Sequence, residues 1–120
     1  MKFLIVDDSK AMRSIVIRTL RQAGYGEHTM EEAVNGLEAL KAIEASPPDV
    51  VLCDWNMPEM SGIELLHALK EKGSTVKCGL VTSEGSPEMK QQATDAGALF
   101  VVTKPFTVES FKVALGPMMA

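Results

Sequence analysis

Short apolar runs alternate with amphipathic segments along the whole chain. Five runs predict β-strands at residues 3–7, 28–33, 49–54, 78–82 and 99–103, the second being the weakest. The segments between and after them carry apolar residues at helical spacing, such as Met12, Ile15, Val16 and Leu20 in the first and Leu37, Leu40 and Ile43 in the second. Strict alternation of strand and helix is typical of an α/β fold, with a parallel sheet covered by helices on both faces.

Helix boundaries are marked by capping residues. Predicted N-caps are Ser9, Asn35, Ser61, Ser86 and Thr107, and residues 61–64 form a Ser-x-x-Glu capping box. Predicted stops are Gly24, residues 46–48 (Ser-Pro-Pro), Gly73, Gly97 and residues 116–117 (Gly-Pro). Five strand–helix pairs follow, which fill the chain.

Composition narrows the class of protein. A chain of 120 residues, 46% hydrophobic, fits one domain spanning residues 1–120. A net charge of −4 and a pI near 5.1 argue against direct binding to nucleic acid or to a membrane surface. No apolar run approaches the roughly 20 residues that span a bilayer, and the start MKFLIVDD does not have the pattern of a signal peptide. We therefore expect a cytoplasmic protein.

Two cysteines, Cys53 and Cys78, lie in separate apolar runs. Their spacing is not that of metal ligands, and nothing in the sequence indicates an oxidising compartment. We expect both to be reduced residues of the core.

Polar residues recur where the predicted strands end. Asp7 and Asp8 follow the first strand, Asp54 ends the third, Thr82 ends the fourth and Lys104 follows the fifth. Because the carboxyl ends of parallel strands lie at one edge of the sheet, where open α/β sheets bind ligands, these side chains should converge on one small site.

Three clustered carboxylates need a cation to remain ionised together. Oxygen-only ligands suit a hard ion, and Mg²⁺ (or Mn²⁺) fits a small site that keeps several waters. With the ion bound, the central acid, Asp54, could attack a phosphoryl group, while Lys104 and the Thr82 hydroxyl share the phosphoryl charge.

Five sequence blocks, in order and at matching strand ends, resemble the receiver domain of bacterial two-component response regulators, most closely its single-domain CheY-like type. They are VDDS-xx-MR at 6–13, NGLEAL at 35–40, CDWNMPEMSG-x-EL at 53–65, VTSE at 81–84 and TKPF at 103–106. The resemblance covers the whole chain. It implies a flavodoxin-like, doubly wound sheet of five parallel strands in the order 2-1-3-4-5, with five helices.

The resemblance also implies roles for the acids. Asp54 would be the phosphoacceptor. Asp8 would bind Mg²⁺ directly, with Asp7 acting largely through water, and the backbone carbonyl of Asn56 would complete the protein ligands. The side chain of Asn56, like Glu84, occupies a position at which the family tunes access of water and hence the lifetime of the phosphoryl group.

The switch of the family is only partly present. Thr82 resembles the hydroxyl that moves to the phosphoryl group, and Lys104 resembles the lysine of the family, whose bond to Pro105 is expected to be cis. Receivers usually place an aromatic residue three positions before the lysine, and here that position is Val101. Phe100 should point to the opposite face, since side chains alternate along a strand.

Several functions stay open at this stage. The first is a signalling switch that a histidine kinase phosphorylates and that then binds a target protein, for example a chemotaxis partner, through the helix after Ser86 and residues 101–111. We expect such a protein to be a monomer before phosphorylation. The second is a phosphate sink or phosphorelay intermediate without direct output, and the chain could also be part of a longer regulator. An aspartyl-phosphate hydrolase would need an acid at Asn56, so an enzyme is not expected.

Overall fold

A computed structural model describes residues 1–119 as five parallel strands and five main helices. The strands are β1 (Lys2–Val6), β2 (Thr29–Ala33), β3 (Val50–Asp54), β4 (Lys77–Thr82) and β5 (Phe100–Thr103). The helices are α1 (Lys10–Leu20), α2 (Gly36–Ala45), α3 (Gly62–Glu71), α4 (Pro87–Ala96) and α5 (Val108–Met119). The sheet order is β2-β1-β3-β4-β5, so the expected 2-1-3-4-5 order and the flavodoxin-like fold are confirmed.

Two apolar layers enclose the sheet. Phe3, Ile5 and Leu52 point to the face covered by α1 and α5, where they meet Phe111 and Leu115. The alternate strand residues, among them Leu4, Val51 and Leu80, point to the face covered by α2, α3 and α4. Because β1, β3 and β4 are buried on both faces, their residues are apolar in continuous runs rather than in alternation.

The predicted N-caps are confirmed. The side chains of Ser9, Asn35 and Ser86 each accept a hydrogen bond from the backbone N–H three residues later. Ser61 and Glu64 form the complete capping box, each side chain accepting from the other's backbone N–H. Thr107 accepts from the N–H of Ser110 in the same way. These bonds satisfy helix N–H groups that have no partner within the helix.

The helical backbone is interrupted at Gly24 as predicted, whereas the predicted stop at residues 116–117 was wrong. α1 ends at Leu20 and continues as a π-helical turn (Arg21–Tyr25) in which Gly24 takes a φ of +103°. α5 does not stop at residues 116–117 but continues to Met119 with Pro117 inside it. Pro117 removes the N–H that would bond to Val113, and Val113 is 69% exposed, so water can satisfy its carbonyl group.

One residue of each of the first two predicted apolar helix faces is exposed, while Val16, Leu20 and Ile43 of those faces are buried as predicted. Ile15 and Leu37, assigned to buried helix faces, are 37% and 41% exposed, and Val16 and Ala39 are buried beside them.

Cys53 and Cys78 are free and buried, as expected, and burial raises the pKa of Cys78 to about 12. Within residues 1–119 no helix is both long enough and apolar enough to cross a membrane.

Candidate functional site

Three carboxylates meet at the carboxyl edge of the sheet. Asp7 and Asp8 follow β1, and Asp54 ends the adjacent strand β3. One oxygen from each lies within 4.8 Å of the others. Asp7 is buried, Asp54 half-buried and Asp8 exposed, so the cluster opens to solvent on the Asp8 side.

Backbone contacts hold the segment that carries the first two acids. The N–H of Asp7 donates to the carbonyl of Ala33 on β2 at 3.2 Å. The N–H of Ser9 donates to the Asp7 carboxylate at 2.9 Å. The Nη1 of Arg13 donates to the Asp7 carbonyl at 2.7 Å. Asp7 is therefore held at its backbone N–H, at its backbone carbonyl and at its side chain.

A lysine pairs with the central acid. Lys104 follows β5, and its Nζ lies 3.2 Å from Asp54 Oδ1 in a partly buried ion pair. Burial raises the pKa of Asp54, and Lys104 opposes that rise without cancelling it. The carboxylate of Asp54 is thus held toward the acid cluster and beside a cation.

The charges of the cluster match those of a divalent cation site. Burial raises the pKa of Asp7, and the nearby carboxylate of Asp54 raises it further. A cation among the three acids would relieve both effects, and carboxylate oxygens are the ligands that Mg²⁺ prefers. The residues present therefore fit a hard divalent ion. Asn56, the expected carbonyl ligand, lies in the exposed loop just after Asp54.

The ends of β4 and β5 are joined beside the acids. Thr82 is buried and its hydroxyl accepts a hydrogen bond from the N–H of Glu84 at 3.1 Å. Its carbonyl accepts from the N–H of Lys104 at 2.7 Å. Glu84 and Pro105 are exposed at this edge, and the Lys104–Pro105 bond is cis, as the resemblance implied. The five predicted polar positions thus surround one edge of the sheet.

The loop from β3 to α3 closely approaches the end of β3. The N–H of Gly62 donates to the carbonyl of Trp55 at 2.9 Å. A Cβ on Gly62 would lie 2.7 Å from the Asp54 carbonyl oxygen and 2.7 Å from Leu80 Cδ2, so a larger residue does not fit there. Trp55 itself is buried.

Val101 and Phe100 point to opposite faces of the sheet, as expected from strand alternation. Val101 packs against the α2–α4 layer and Phe100 belongs to the α1–α5 layer. The Phe100 ring covers Gly79 of the neighbouring strand, since a Cβ on Gly79 would lie 2.0 Å from the ring. The aromatic residue is therefore on the wrong face to replace the missing one at Val101.

Arg13 is a residue that the sequence reasoning missed at this site. It is buried, and its Nε also donates to Glu32 Oε1 on β2 at 2.9 Å. A signal was present, because Arg13 lies three and seven residues before Val16 and Leu20, on the stripe where an amphipathic helix buries apolar residues. A charge on that stripe requires a buried partner.

Comparison with known proteins agrees with this geometry. The family model for the response regulator receiver domain matches residues 3–115. This chain belongs to the response regulator receiver domain family. It is 38% identical over 117 residues to chemotaxis protein CheY-3 of Vibrio cholerae, covering 96% of this chain and 88% of that protein.

Two further relatives support the CheY-like type. The probable chemotaxis protein CheY of Rhizobium etli is 35% identical over 116 residues, covering 95% of this chain and 88% of that protein. The crystal structure of chemotaxis protein CheY4 of Vibrio cholerae superposes with a TM-score of 0.84 at 36% identity, covering 97% of this chain and 96% of that one. The chain is a CheY-like receiver.

Proposed function

We propose that this chain is a stand-alone receiver whose single domain spans residues 1–120. It accepts a phosphoryl group on Asp54 from a cytoplasmic histidine kinase and then binds a target protein. The observation that carries the proposal is the cluster of Asp7, Asp8 and Asp54 with the Lys104 ammonium group 3.2 Å from Asp54. Two carboxylates beside a third that carries a lysine partner suit phosphoryl transfer better than a purely structural role.

Asp54 is the proposed nucleophile. One carboxylate oxygen attacks phosphorus, forming a P–O bond as the P–N bond of a phosphohistidine breaks, and the imidazole leaves with its electron pair and takes up a proton. Lys104 shares the charge of the phosphoryl oxygens, and the Thr82 hydroxyl would bond to them after exchanging its contact with Glu84. The step is a transfer between proteins, so the chain is a signalling protein rather than a classical enzyme.

Asp7, Asp8, Asp54 and the backbone carbonyl of Asn56 are the groups that would hold Mg²⁺ or Mn²⁺. When bound, the ion supplies positive charge that offsets the charge of the entering phosphoryl group. The exposed Asp8 side of the cluster gives the ion and the donor access from solvent. Asn56 and Glu84 are exposed and lie two residues after Asp54 and Thr82, where each could change the access of water to the product.

Phosphorylation by a small acyl phosphate tests the chemistry without a known kinase. Incubation with acetyl phosphate and Mg²⁺ should add one phosphoryl group to the intact mass, and EDTA should abolish the adduct. Asp54→Asn should remove it, whereas Asp95→Asn, a change at an exposed acid of α4, should leave it unchanged. An adduct that persists in Asp54→Asn would refute Asp54 as the acceptor.

One observation favours a second function, that of a phosphate sink or phosphorelay intermediate without direct output. Val101 occupies the position of the family's switch aromatic, and Phe100 is held over Gly79 on the opposite face. The same chemistry at Asp54 would then serve only to remove or pass on phosphoryl groups. If this receiver is part of a longer regulator, its target can be another domain of the same chain, and no separate target protein is then needed.

Partner binding separates the two functions. A switch should bind a target from its own cell at least about tenfold more tightly when Asp54 is phosphorylated, a coupling of roughly 1.4 kcal/mol. A sink should show no such gain but should draw phosphoryl groups from the kinase. The unphosphorylated chain is expected to sediment as a monomer.

A further inference from the structure

Arg13 is a buried cation whose position in α1 is unusual. It is 8% exposed and lies on the stripe with Val16 and Leu20 that packs onto the sheet. Burying a guanidinium group is costly unless its donors are satisfied. The reason for an arginine here must therefore be found in its two contacts.

The guanidinium group joins the ends of two strands. Its Nη1 donates to the carbonyl of Asp7, after β1, at 2.7 Å, and its Nε donates to Glu32 Oε1, on β2, at 2.9 Å. The planar fork of arginine can hold two such acceptors in a set geometry, which a lysine with a single nitrogen cannot. Glu32 thus fixes how Arg13 is turned toward Asp7.

The carbonyl that Arg13 contacts belongs to the peptide unit between Asp7 and Asp8. Fixing that unit sets the direction in which the chain leaves β1 toward Asp8. Asp8 is exposed, so packing does not hold its side chain in place. By contrast, the Asp7 side chain is already held by the N–H of Ser9. The Arg13 contact therefore acts mainly on the placement of Asp8 relative to the other two acids.

We infer that Arg13 is a positioning residue for the divalent cation site, and that Glu32 acts through Arg13. This inference rests on the proposed function, in which Asp7, Asp8 and Asp54 hold the ion. Arg13 does not contact the ion. It holds the backbone from which two of the ligands project, as outer partners do in metal sites generally.

A purely structural role and a positioning role give different measurements. A structural role would change the free energy of unfolding but not the affinity for Mg²⁺ of molecules that remain folded. We would compare Arg13→Lys and Glu32→Ala with wild type, using Arg18→Ala as the matched control because Arg18 is an exposed arginine of the same helix. Glu32 has a side chain 44% exposed on the edge strand, so its removal should leave the fold intact.

Mg²⁺ would be titrated by calorimetry and by the fluorescence of Trp55, the only tryptophan, in buffer where circular dichroism shows each variant folded. Arg13→Lys should weaken Mg²⁺ binding about tenfold, within the range for outer partners of metal ligands. Glu32→Ala should weaken it less. The double variant should bind no more weakly than Arg13→Lys alone, because Glu32 acts through Arg13. Arg18→Ala should match wild type.

Two results would overturn the inference, and they differ. If wild type binds Mg²⁺ and both Arg13→Lys and Glu32→Ala bind it equally well, Arg13 is structural only and the proposed function survives. If wild type itself does not bind Mg²⁺, the proposed function fails and the inference fails with it.

Discussion

Single residues depart from local preference where the site requires it. Arg13 puts a charge on a buried helix stripe, and Asp7 puts a carboxylate in a buried position. Glu59 takes a φ of +69°, a region that side chains with a Cβ avoid. All three lie in or beside the segments that carry the acids. Strained backbone and buried charges are common at functional sites.

Glu59 provides a test of that cost. The N–H of Met60 donates to the carbonyl of Pro58 at 2.7 Å across Glu59, a bond between residues two apart that forms a γ-turn. Since Glu59 is exposed, its substitution removes few contacts. Glu59→Val should lower the free energy of unfolding by about 1–2 kcal/mol, because a β-branched residue at positive φ is strained. Glu59→Gly should leave it unchanged or raise it by up to about 1 kcal/mol.

Urea denaturation with Glu59→Gln as the charge control checks this prediction. The glutamine variant has the same backbone requirement as wild type and should share its midpoint. Equal midpoints for the valine and glycine variants would show that the turn is not strained.

At the scale of elements, the sequence predicted those features that depend on residues close together in the chain. Strand positions came from apolar runs, and helix starts came from side chains that bond to the third following N–H, as at Ser61 and Ser86. Helix ends were less predictable, because they depend on surroundings that are distant in sequence. α5 continues through Pro117 because the carbonyl group of Val113, which loses its helical hydrogen bond there, can bond to water instead. The π-helical turn after Leu20 places Ala23 in the core.

Contacts between elements could not be predicted from the sequence for the same reason. Gly62 was recognised as part of a motif, but only the structure reveals why glycine is needed at the first residue of α3. Gly62→Ala should lower the free energy of unfolding by roughly 1–3 kcal/mol, because its Cβ would meet the backbone oxygen of Asp54 at 2.7 Å, and backbone cannot move aside cheaply.

Gly116→Ala is the matched control for Gly62→Ala, since nothing lies within 4 Å of a Cβ at Gly116 in α5. It should raise the free energy of unfolding by about 0.5–1 kcal/mol, the ordinary preference of a helix for alanine. Urea denaturation measures both. Equal effects in the two variants would mean that crowding at Asp54 does not decide the preference for glycine.

At the scale of the whole molecule, parallel topology explains why the site could be predicted at all. Asp7, Asp54, Thr82 and Lys104 are far apart in sequence, yet each ends or follows a strand, and a parallel sheet brings such ends together. What topology cannot supply is how the site is supported. The bond from Arg13 to the Asp7 carbonyl depends on how α1 sits on β1 and β2, which side-chain periodicity does not specify.

The same site should couple metal, protons and stability. Burial raises the folded-state pKa of Asp7 and Asp54 above 3.8. In EDTA, the stability due to these two groups is therefore fully present below pH 3.8 and is lost as pH rises through their folded pKa values. In the proposed site Mg²⁺ would bind the ionised carboxylates, so its stabilising effect should grow over the same range as protons leave.

The difference in unfolding free energy between Mg²⁺ and EDTA should accordingly widen as pH rises from about 4 toward 7, reaching about 2.7 kcal/mol when free Mg²⁺ is a hundredfold above its dissociation constant. Urea denaturation at a series of pH values, with and without the ion, measures it. Asp54→Asn should flatten the EDTA profile, because one of the two raised carboxyl groups is gone, and should narrow the difference at pH 7. A difference that stays constant with pH would mean that Mg²⁺ binds away from these carboxylates, since only a site whose ligands must lose protons makes metal and proton compete.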